Sequence, residues 1–362
     1  MLFCSFCFFY MVNYYIINKQ NEDKYMKLIN KIAISLAMLA LIGSANAATT
    51  LKVETHFGAA TPSGEVATQF GKDVESYTKG NVKIEMFHSA AVTGKAAEVF
   101  NSARSGIIDC DMTGGAYQTG KNAAFQFAGD IMGGYETPYQ QYDWLNKGGG
   151  REALNKLYNK YDMQFIGWWI PGQESLISSK PLRNVADLKD WKFRSPPGME
   201  TEIFADLGAK PIVMDFGEVP TALQTGIIDG ADYSALANNV ATGLYDTNPH
   251  ASYPGFHSMP ADHLACNKKK WDSLSASDQA GIQKAMDKAG KSITKLIEKK
   301  NKEAVKILKK QGVTLHDFSK ADRATVRASA MKAWDNWKTK SPEAKSLIES
   351  HVAYMQKIGL IK

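Results

Sequence analysis

Short apolar runs alternate with amphipathic stretches along most of the chain. Apolar and polar positions that alternate over a few residues are typical of a strand, and apolar positions that recur every three to four residues are typical of a helix. In the first half this pattern predicts strands at 51–57, 82–87, 107–112 and 163–170, and helices at 63–77, 95–105 and 138–161, the last interrupted by the three glycines at 148–150. Strands that alternate with helices indicate an α/β fold with a largely parallel sheet.

The C-terminal third has a different character. Residues 277–311 predict one long helix, with ten lysines between Lys284 and Lys310. Its apolar positions fall near helical spacing, so one face is expected to pack and the lysine face to contact solvent, with an acidic membrane surface as the alternative. Two further helices are predicted at 319–337 and 342–358.

A seven-residue pattern occurs twice. Residues 103–109 read ARSGIID and residues 223–229 read LQTGIID. In each copy a helix is expected to end at a glycine that can adopt the left-handed conformation, and a strand follows. The repeat predicts two α/β lobes of similar construction, with chance similarity as the competing explanation.

The N-terminus carries targeting features. A short basic region precedes an apolar run at 32–43, and residues 45–47 (ANA) place small residues where a signal peptidase requires them. The apolar run is too short to span a bilayer. Residues 26–47 are therefore predicted to be a cleaved secretory signal, and a mature periplasmic chain is expected to start near Ala48.

Residues 1–25 precede this complete signal and are interpreted as a start assigned too early, with an aromatic-rich membrane anchor as the rival interpretation. The whole chain has 362 residues, 44% of them hydrophobic, which is typical of a globular protein of about two domains. Its formal net charge is +6, and four lysines and two acids lie before residue 48. The remaining small positive charge predicts no nucleic-acid partner.

Cys110 and Cys266 are the cysteines that remain after cleavage. In an oxidising periplasm they can form a disulfide if the fold brings them together. Isolated cysteines on apolar segments are more often buried thiols, so two thiols are the favoured prediction and a disulfide is the alternative.

The sequence contains no nucleophile elbow, dinucleotide fingerprint, phosphate-binding loop or zincin motif. His257, Asp262 and His263 are the one plausible acid–base set. The sequence therefore favours a binding protein that holds a small ligand between two lobes, and a secreted enzyme using these three residues is the alternative.

Arg194 is the most specific candidate for ligand binding. It ends a short predicted strand in the segment KFRSPPG at 192–198, and a helix is expected from about Met199. A guanidinium can hold a carboxylate through two hydrogen bonds, and a neighbouring helix N-terminus favours an anion. A surface position or a structural ion pair is the alternative role for this arginine.

Four segments, in order, resemble one family. They are EVFNSARSGIIDCD at 98–111, LKDWKFRSPPG at 188–198, GEVPTALQTGIIDGAD at 217–232 and CNKKKWDSL at 266–274. Together with the signal peptide and the long helix, they make residues 48–362 resemble the extracytoplasmic solute receptors of tripartite ATP-independent periplasmic (TRAP) transporters, the DctP family.

The resemblance implies a two-lobed α/β periplasmic binding protein fold, with a ligand cleft between the lobes and a long C-terminal helix spanning both. The lobes are expected at 48–171 with 260–299, and at 172–259 with 300–362. The resemblance also implies that Arg194 pairs with a ligand carboxylate and that the receptor, which is not an enzyme, delivers the ligand to a permease of one small and one large membrane subunit. Some relatives form homodimers.

Within the family, the segments GQE at 172–174 and YPGFH at 253–257 are similar to those of receptors for 2-oxo acids and lactate. In that branch a metal ion bridges the protein and the ligand carboxylate. The resemblance places its ligands at Gln173, Asp232 and Tyr233 and implies Na+ or Ca2+ as the ion. No cofactor is expected to be required, so a site without a metal is the alternative. Asp232-Tyr233 replaces a Glu-Trp pair, and Ser258 stands where the branch has a second glutamate, which removes an anionic ligand from the site. By their positions Gln173, Asp232, Tyr233 and Ser258 are also expected to contact the ligand.

Aromatic side chains are expected along the cleft. Phe57, Tyr117 and Tyr233 are the candidates, with Trp168 or Trp169 before the hinge, although each can also be an ordinary packing residue. Such rings favour a small monocarboxylate with an apolar body: a 2-oxo acid, a 2-hydroxy acid or an aromatic carboxylate. A receptor for dicarboxylates and a receptor for an ABC transporter are the alternatives.

Overall fold

The computed structural model describes residue 11 and residues 48–361. The predicted signal peptide at 26–47, and the predicted extension at 1–25 except for Met11, lie outside the described residues. The chain divides into two compact units, Met1–Ala47 and Ala48–Lys362, and the fold lies in the second. Among the helices of the described residues, none is both long and apolar enough to cross a membrane.

Strands and helices alternate through residues 48–361, as the hydrophobic pattern predicts. The strands are β1 (Thr49–Thr55), β2 (Val82–Phe87), β3 (Cys110–Met112), β4 (Met163–Trp169), β5 (Ser175–Ser178), β6 (Lys192–Ser195), β7 (Lys210–Val213), β8 (Gly230–Ser234), β9 (His250–Ser252), β10 (Asp262–Asn267) and β11 (Thr314–His316). The α-helices are α1 (Pro62–Tyr77), α2 (Val99–Ser105), α3 (Ala124–Gly129), α4 (Pro138–Lys147), α5 (Gly150–Asn159), α6 (Met199–Asp206), α7 (Val219–Gln224), α8 (Leu236–Ala241), α9 (Lys268–Asp272), α10 (Ala276–Lys310), α11 (Lys320–Trp337) and α12 (Pro342–Lys357).

The first sheet has the order β2-β1-β3-β10-β4. β1 pairs in parallel with β2 and β3, whereas β10 runs antiparallel to β3 and β4. All of β3 and nearly all of β4 and β10 are buried. Burial along a whole strand shows that both faces of the sheet are covered there, which explains why these segments read as continuous apolar runs.

The second sheet has the order β11-β9-β5-β8-β6-β7. β6 pairs in parallel with β7 and β8, and β5 runs antiparallel to β8 and β9. The strands of the first sheet fall within 49–169 and 262–267, and those of the second fall within 175–252 and 314–316. Each set lies inside one of the predicted lobes, while the lobe boundaries themselves stay a prediction.

The seven-residue repeat marks equivalent positions in the two sheets. Asp109 accepts a hydrogen bond from the N–H of Lys52 in β1, and its own N–H donates to the Lys52 carbonyl, both at 2.8 Å. Asp229 makes the same pair of contacts with Lys192 in β6, at 3.2 and 2.6 Å. The parallel parts of the sheets have matching orders, β2-β1-β3 and β7-β6-β8. The repeat therefore reflects two similar α/β units rather than chance.

The long helix α10 packs against α1 and β4 of the first half and against α8 of the second. Its buried positions, which include Ile282, Met286, Ile293 and Ile297, follow helical spacing. The Thr294 hydroxyl also donates to the carbonyl of Ile170, just after β4, at 2.8 Å. The expected two-lobed α/β fold with a long helix across both lobes is confirmed.

The last helix, α12, is held by a buried histidine. It packs against α3 and α5, although the predicted boundaries assign α12 to the second lobe and those two helices to the first. His351 Nε2 donates to the carbonyl of Phe127 at 2.9 Å, and its Nδ1 accepts from the Tyr135 hydroxyl at 3.0 Å. The neutral ring satisfies both contacts, and burial lowers the pKa of His351 to about 3.

Cys110 in β3 and Cys266 in β10 form a disulfide bond. The favoured prediction of two free thiols is therefore wrong. Both residues are buried, as expected, but the antiparallel pairing of β3 with β10 places them directly opposite each other although 156 positions separate them along the chain.

Replacing both cysteines by alanine should lower the free energy of unfolding by about 2–5 kcal/mol, because the bond closes a loop of 156 residues in the unfolded chain. Denaturant unfolding measures this difference. A reducing agent should lower the unfolding midpoint of the wild type and leave that of the Cys110→Ala/Cys266→Ala variant unchanged. An unreduced wild-type mass that matches two free thiols would contradict the bond.

His351→Gln should make stability less sensitive to acid. Because the pKa of this histidine falls from about 6.5 in the unfolded chain to about 3 in the folded one, the wild type loses stability as the pH drops below 6.5. From pH 7 to pH 5 that loss is about 2 kcal/mol. The stability gap between the wild type and His351→Gln, measured in urea, should narrow by this amount, and a gap that is constant with pH would refute the assignment.

Candidate ligand-binding cleft

A cavity of about 70 Å³ is lined by residues from both sheets, and we call it the cleft. Six of the seven residues predicted to contact the ligand line it: Phe57, Tyr117, Arg194, Asp232, Tyr233 and Ser258. The first two come from the connections that follow β1 and β3, and the others come from β6, β8 and the segment before β10. The fold thus brings together positions that are up to 201 residues apart along the chain.

Arg194 is 2% exposed although it carries a full charge. Its Nε donates to the carbonyl of Met214 at 3.1 Å, and its Nη1 donates to the carbonyl of Asp232 at 2.7 Å. Its Nη2 is buried and lies at hydrogen-bond distance from no acceptor within residues 48–361, although the side chain of Tyr117 interacts with the guanidinium. Because buried N–H groups are almost always paired, this nitrogen is expected to meet an acceptor on a ligand.

Asp232 balances the charge of Arg194. One carboxylate oxygen lies 4.0 Å from Arg194 Nη1, and the other lies 3.1 Å from Nε2 of His257. Burial alone would raise the pKa of Asp232, but the hydrogen bond and charge of His257, together with the charge of Arg194, lower it. Asp232 is therefore an ionised carboxylate next to Arg194.

Two glutamates lie beside this pair. Glu200, in the first turn of α6, accepts from the Ser195 hydroxyl at 2.9 Å through one oxygen, and its other oxygen is buried without a partner in the described part of the chain. Burial, and then the charge of Asp232, raise the pKa of both Glu174 and Glu200 well above the usual value. Their neutral forms are favoured, so the cleft is less negative than its composition suggests.

Aromatic rings form another part of the cleft. Phe216 stacks on Tyr233 with ring centroids 3.8 Å apart, and Phe57 meets Phe216 edge-on at 6.0 Å. The guanidinium carbon of Arg194 lies 6.0 Å from the centre of the Phe216 ring. Burial raises the pKa of Tyr117 and Tyr233, which keeps both hydroxyls neutral. The rings offer an apolar surface next to the cation.

Ser258 has a partner inside the protein. Its hydroxyl donates to a carboxylate oxygen of Asp130 at 2.7 Å, and the N–H of Met259 donates to the same oxygen at 3.4 Å. Burial still raises the pKa of Asp130 to about 6. The hydroxyl of Ser258 is therefore paired with Asp130, which also lines the cleft.

Gln173 is the one predicted contact residue that does not line the cleft. It lines a neighbouring cavity, and its side-chain amide donates to the carbonyl of Glu136 at 3.5 Å. The next residue, Glu174, lines the cleft instead, and its N–H donates to the carbonyl of Ser258 at 3.0 Å. The structure thus does not bring Gln173 together with Asp232 and Tyr233 in the cleft.

A different set of side chains can hold a cation. Within the described residues, Glu174, Asp232 and His257 each offer one potential ligand atom, these atoms lie within 4.8 Å of one another, and all three residues are buried. The unpaired oxygen of Glu200 lies 3.7 Å from Nε2 of His257. Carboxylate oxygens suit Na+ or Ca2+, whereas an imidazole is the more usual ligand of transition metals. The donors fit a cation, with Glu174 in place of Gln173.

His257, Asp262 and His263 do not form an acid–base set. Asp262 and His263 are consecutive in β10, so their side chains point to opposite faces of the sheet. Asp262 lines the cleft, whereas His263 pairs with Asp111 and with the hydroxyl of Tyr158, both at 2.8 Å. His257 contacts Asp232 instead. The three residues are therefore not brought together, and the enzyme alternative, which required them as one acid–base set, is not supported.

Glu174, Glu200 and Phe216 are cleft residues that sequence reasoning missed. The sequence did contain a signal for Glu200: the predicted turn after Arg194 leads into a helix from about Met199. In the structure this turn places the first turn of α6 beside the end of β6. Gly198 permits this approach: its φ is +133°, and a Cβ there would lie 2.4 Å from the side-chain oxygen of Gln126. For Phe216 the sequence offers no comparable signal.

Residues 54–340 match the DctP family model, described as bacterial extracellular solute-binding protein, family 7. The sialic acid-binding periplasmic protein SiaP of Vibrio cholerae is 26% identical over 297 residues, which cover 80% of this chain and 89% of that protein. A monocarboxylate 2-oxoacid-binding periplasmic protein of Nostoc is 25% identical over 303 residues, covering 81% of this chain and 80% of that protein.

Solved structures show the same fold. An open, ligand-free TRAP solute-binding protein of Rhodobacter sphaeroides is 35% identical, with a TM-score of 0.68 over 86% of this chain and 99% of that one. A Pseudoalteromonas atlantica protein with bound sodium and pyruvate (24% identical, TM-score 0.77) covers 86% of this chain and 95% of its own. A Bordetella bronchiseptica protein, a dimer with calcium and picolinate, is 22% identical with a TM-score of 0.79. The match covers 86% of this chain and 93% of that one. The chain belongs to the DctP family of periplasmic solute-binding proteins, the non-enzymatic receptors of TRAP transporters.

Proposed function

We propose that this receptor captures a small organic monocarboxylate, and that the ligand carboxylate pairs with Arg194. The observation that carries the proposal is the unpaired Nη2 of a buried arginine that lines the cleft. Two backbone carbonyls hold the other side of the guanidinium, so the group is oriented before a ligand arrives. A fixed, buried guanidinium binds a carboxylate with little loss of side-chain freedom.

The ligand is proposed to be a 2-oxo acid, a 2-hydroxy acid or an aromatic carboxylate. The rings of Phe57, Phe216 and Tyr233 offer an apolar surface next to Arg194, and the neutral carboxyl of Glu200 can pair with a carbonyl or hydroxyl group. Some relatives bind ligands of this class: a monocarboxylate 2-oxoacid for the Nostoc protein, and pyruvate and picolinate for the two liganded structures. Other relatives bind sialic acid or succinate. This ligand class agrees with the resemblance of residues 172–174 and 253–257 to receptors for 2-oxo acids and lactate.

A cation is proposed to bind together with the ligand. Sodium and calcium accompany the ligands of the two liganded relatives. In this chain Glu174 and Asp232 are the oxygen donors in the cleft, with His257 beside them. A bound cation would ionise Glu174, whose pKa is raised by burial and by Asp232, and would then neutralise the charge it creates.

The partners and the compartment follow the family. The receptor is proposed to be secreted by cleavage near Ala48, to close its lobes around the ligand, and to deliver the ligand to the small and large membrane subunits of a TRAP permease. A homodimer is proposed on the same basis, because one relative is a dimer.

Arg194→Gln should weaken ligand binding by about 2–5 kcal/mol, because it removes one partner of a buried charge pair. The ligand is found first by a thermal-shift screen of 2-oxo, 2-hydroxy, aromatic and dicarboxylic acids against refolded, ligand-free protein, since a bound ligand raises the melting temperature. Calorimetry with the best acid then compares the wild type and the variant.

The matched control for this substitution is Arg183→Gln, which removes an exposed arginine paired with Asp187. Its affinity should stay close to that of the wild type. Equal affinities of Arg194→Gln and Arg183→Gln would reject the anchoring role of Arg194. Failure of every acid in the screen would reject the ligand class.

Removing cations should weaken binding, and Glu174→Gln should abolish this dependence, because the substitution removes an anionic oxygen donor. Affinity is measured by calorimetry in sodium-free buffer with chelator, and again after adding back Na+ or Ca2+. Gln173→Ala is the comparison, since Gln173 lies in the neighbouring cavity. If affinity still depends on cations in Glu174→Gln but no longer does so in Gln173→Ala, the cation is bound by the residues that the family resemblance suggests, Gln173 among them.

A further inference from the structure

A second cavity of about 440 Å³ adjoins the cleft. Asp130 and Ser258 line both spaces, so the hydrogen bond between them forms part of the partition. The rings of Tyr135 and Phe256 contribute apolar surface to the second cavity. It is therefore a separate space with its own lining, and the proposed role of the cleft does not account for it.

Three cationic side chains from the N-terminal half of α11 line the second cavity: Lys320, Arg323 and Arg327. Arg323 is used within the protein, because it donates to the carbonyls of Phe318 and Gly255 and pairs with Asp317. Within residues 48–361, the side chain of Arg327 makes one hydrogen bond, to the carbonyl of Gly134 at 3.2 Å, and the side chain of Lys320 makes none. Two cations are thus available at the end of a helix whose dipole already favours anions.

His257 supplies a buried polar atom to the same space. Its side chain is fully buried, and it lines the second cavity but not the cleft. Nε2 lies 3.1 Å from Asp232, and Nδ1 is buried without a partner in the described part of the protein. Since Nε2 is directed toward Asp232, Nδ1 is the atom left for the second cavity.

We infer that the second cavity is an anion-binding site, separate from the cleft, for a small carboxylate with an apolar body. Arg327 and Lys320 pair with the carboxylate, His257 Nδ1 meets one of its oxygens, and the body lies against Tyr135 and Phe256. The binding chemistry is the same as in the cleft, but it rests on different side chains.

Two acidic side chains also line this cavity and do not cancel its cations. Glu136 is exposed to solvent, so water screens its charge. One carboxylate oxygen of Asp130 already accepts hydrogen bonds from the Ser258 hydroxyl and the Met259 N–H, in the partition between the two cavities. Lys320 is exposed as well, so the half-buried Arg327 is the less screened of the two cations available to a ligand.

The test uses the Arg194→Gln variant, in which the cleft has lost its proposed anchor, and titrates it with benzoate. Benzamide, a neutral molecule of the same shape, is the control. The readout is the imidazole NMR signal of His257, assigned by its loss in His257→Gln. Benzoate should shift this signal saturably, and benzamide should not.

Further substitutions on this background locate the site. Arg327→Gln should weaken benzoate binding by about tenfold or more, because a charge-assisted hydrogen bond is lost, and Arg327→Lys, which keeps the charge, should weaken it less. Arg104→Gln is the control, because it makes the same charge change on a half-exposed side chain of α2. It should leave benzoate binding unchanged. If Arg327→Gln fails to fold, Lys320→Gln and Arg327→Lys provide the comparison.

Three results would overturn the second site. The first is the absence of a benzoate shift with Arg194→Gln, and the second is a shift that persists unchanged when Arg327→Gln or Lys320→Gln is added. The third is the binding of one benzoate per wild-type molecule, weakened equally by Arg194→Gln and Arg327→Gln, because a single ligand would then span both cavities.

Discussion

The buried charge of Arg194 is the constraint on which the cleft depends. A guanidinium removed from water is costly unless its N–H groups find acceptors and its charge finds a partner. The carbonyls of Met214 and Asp232 supply the acceptors, and the Asp232 carboxylate supplies the partner at 4.0 Å. One carbonyl belongs to β8 and the other follows β7, so the second sheet itself holds the arginine. The position of the anion site is therefore a property of the fold.

In the first sheet, an acidic residue occupies the position equivalent to that of Arg194. Asp109 and Asp229 bracket Lys52 and Lys192 in the same way, which makes the residues that follow the two lysines equivalent. Two positions after Lys192 stands Arg194, and two positions after Lys52 stands Glu54, which is fully buried and accepts from backbone N–H groups at 92 and 93. The two similar units thus differ in the charge placed at one shared position, and the positive one lies in the cleft.

Part of this fold follows from the sequence, because local periodicity predicts β1 to β4 and the long helix, and the repeat predicts two α/β units. What the sequence could not supply depends on contacts between distant segments. The disulfide requires β10 to lie beside β3, which no local pattern shows. The choice between the neighbours Gln173 and Glu174 requires the backbone bond from Glu174 to Ser258, which turns one side chain into the cleft and leaves the other in the second cavity.

The acids of the cleft also follow from the buried arginine. An anionic ligand would be repelled by the carboxyl groups lining the cleft if all were ionised. Burial raises the pKa of Glu174, Glu200 and Asp262 well above the usual value and that of Asp130 only to about 6, whereas His257 and Arg194 lower the pKa of Asp232. Asp130 and Asp232 are therefore the carboxylates expected to be ionised at neutral pH, and the other three are expected to be neutral. Neutral carboxyl groups can donate hydrogen bonds to a carboxylate or a carbonyl oxygen, which ionised groups cannot. A cation would replace the proton on Glu174 most favourably when an anion is present to balance it, so ligand and cation are expected to bind together.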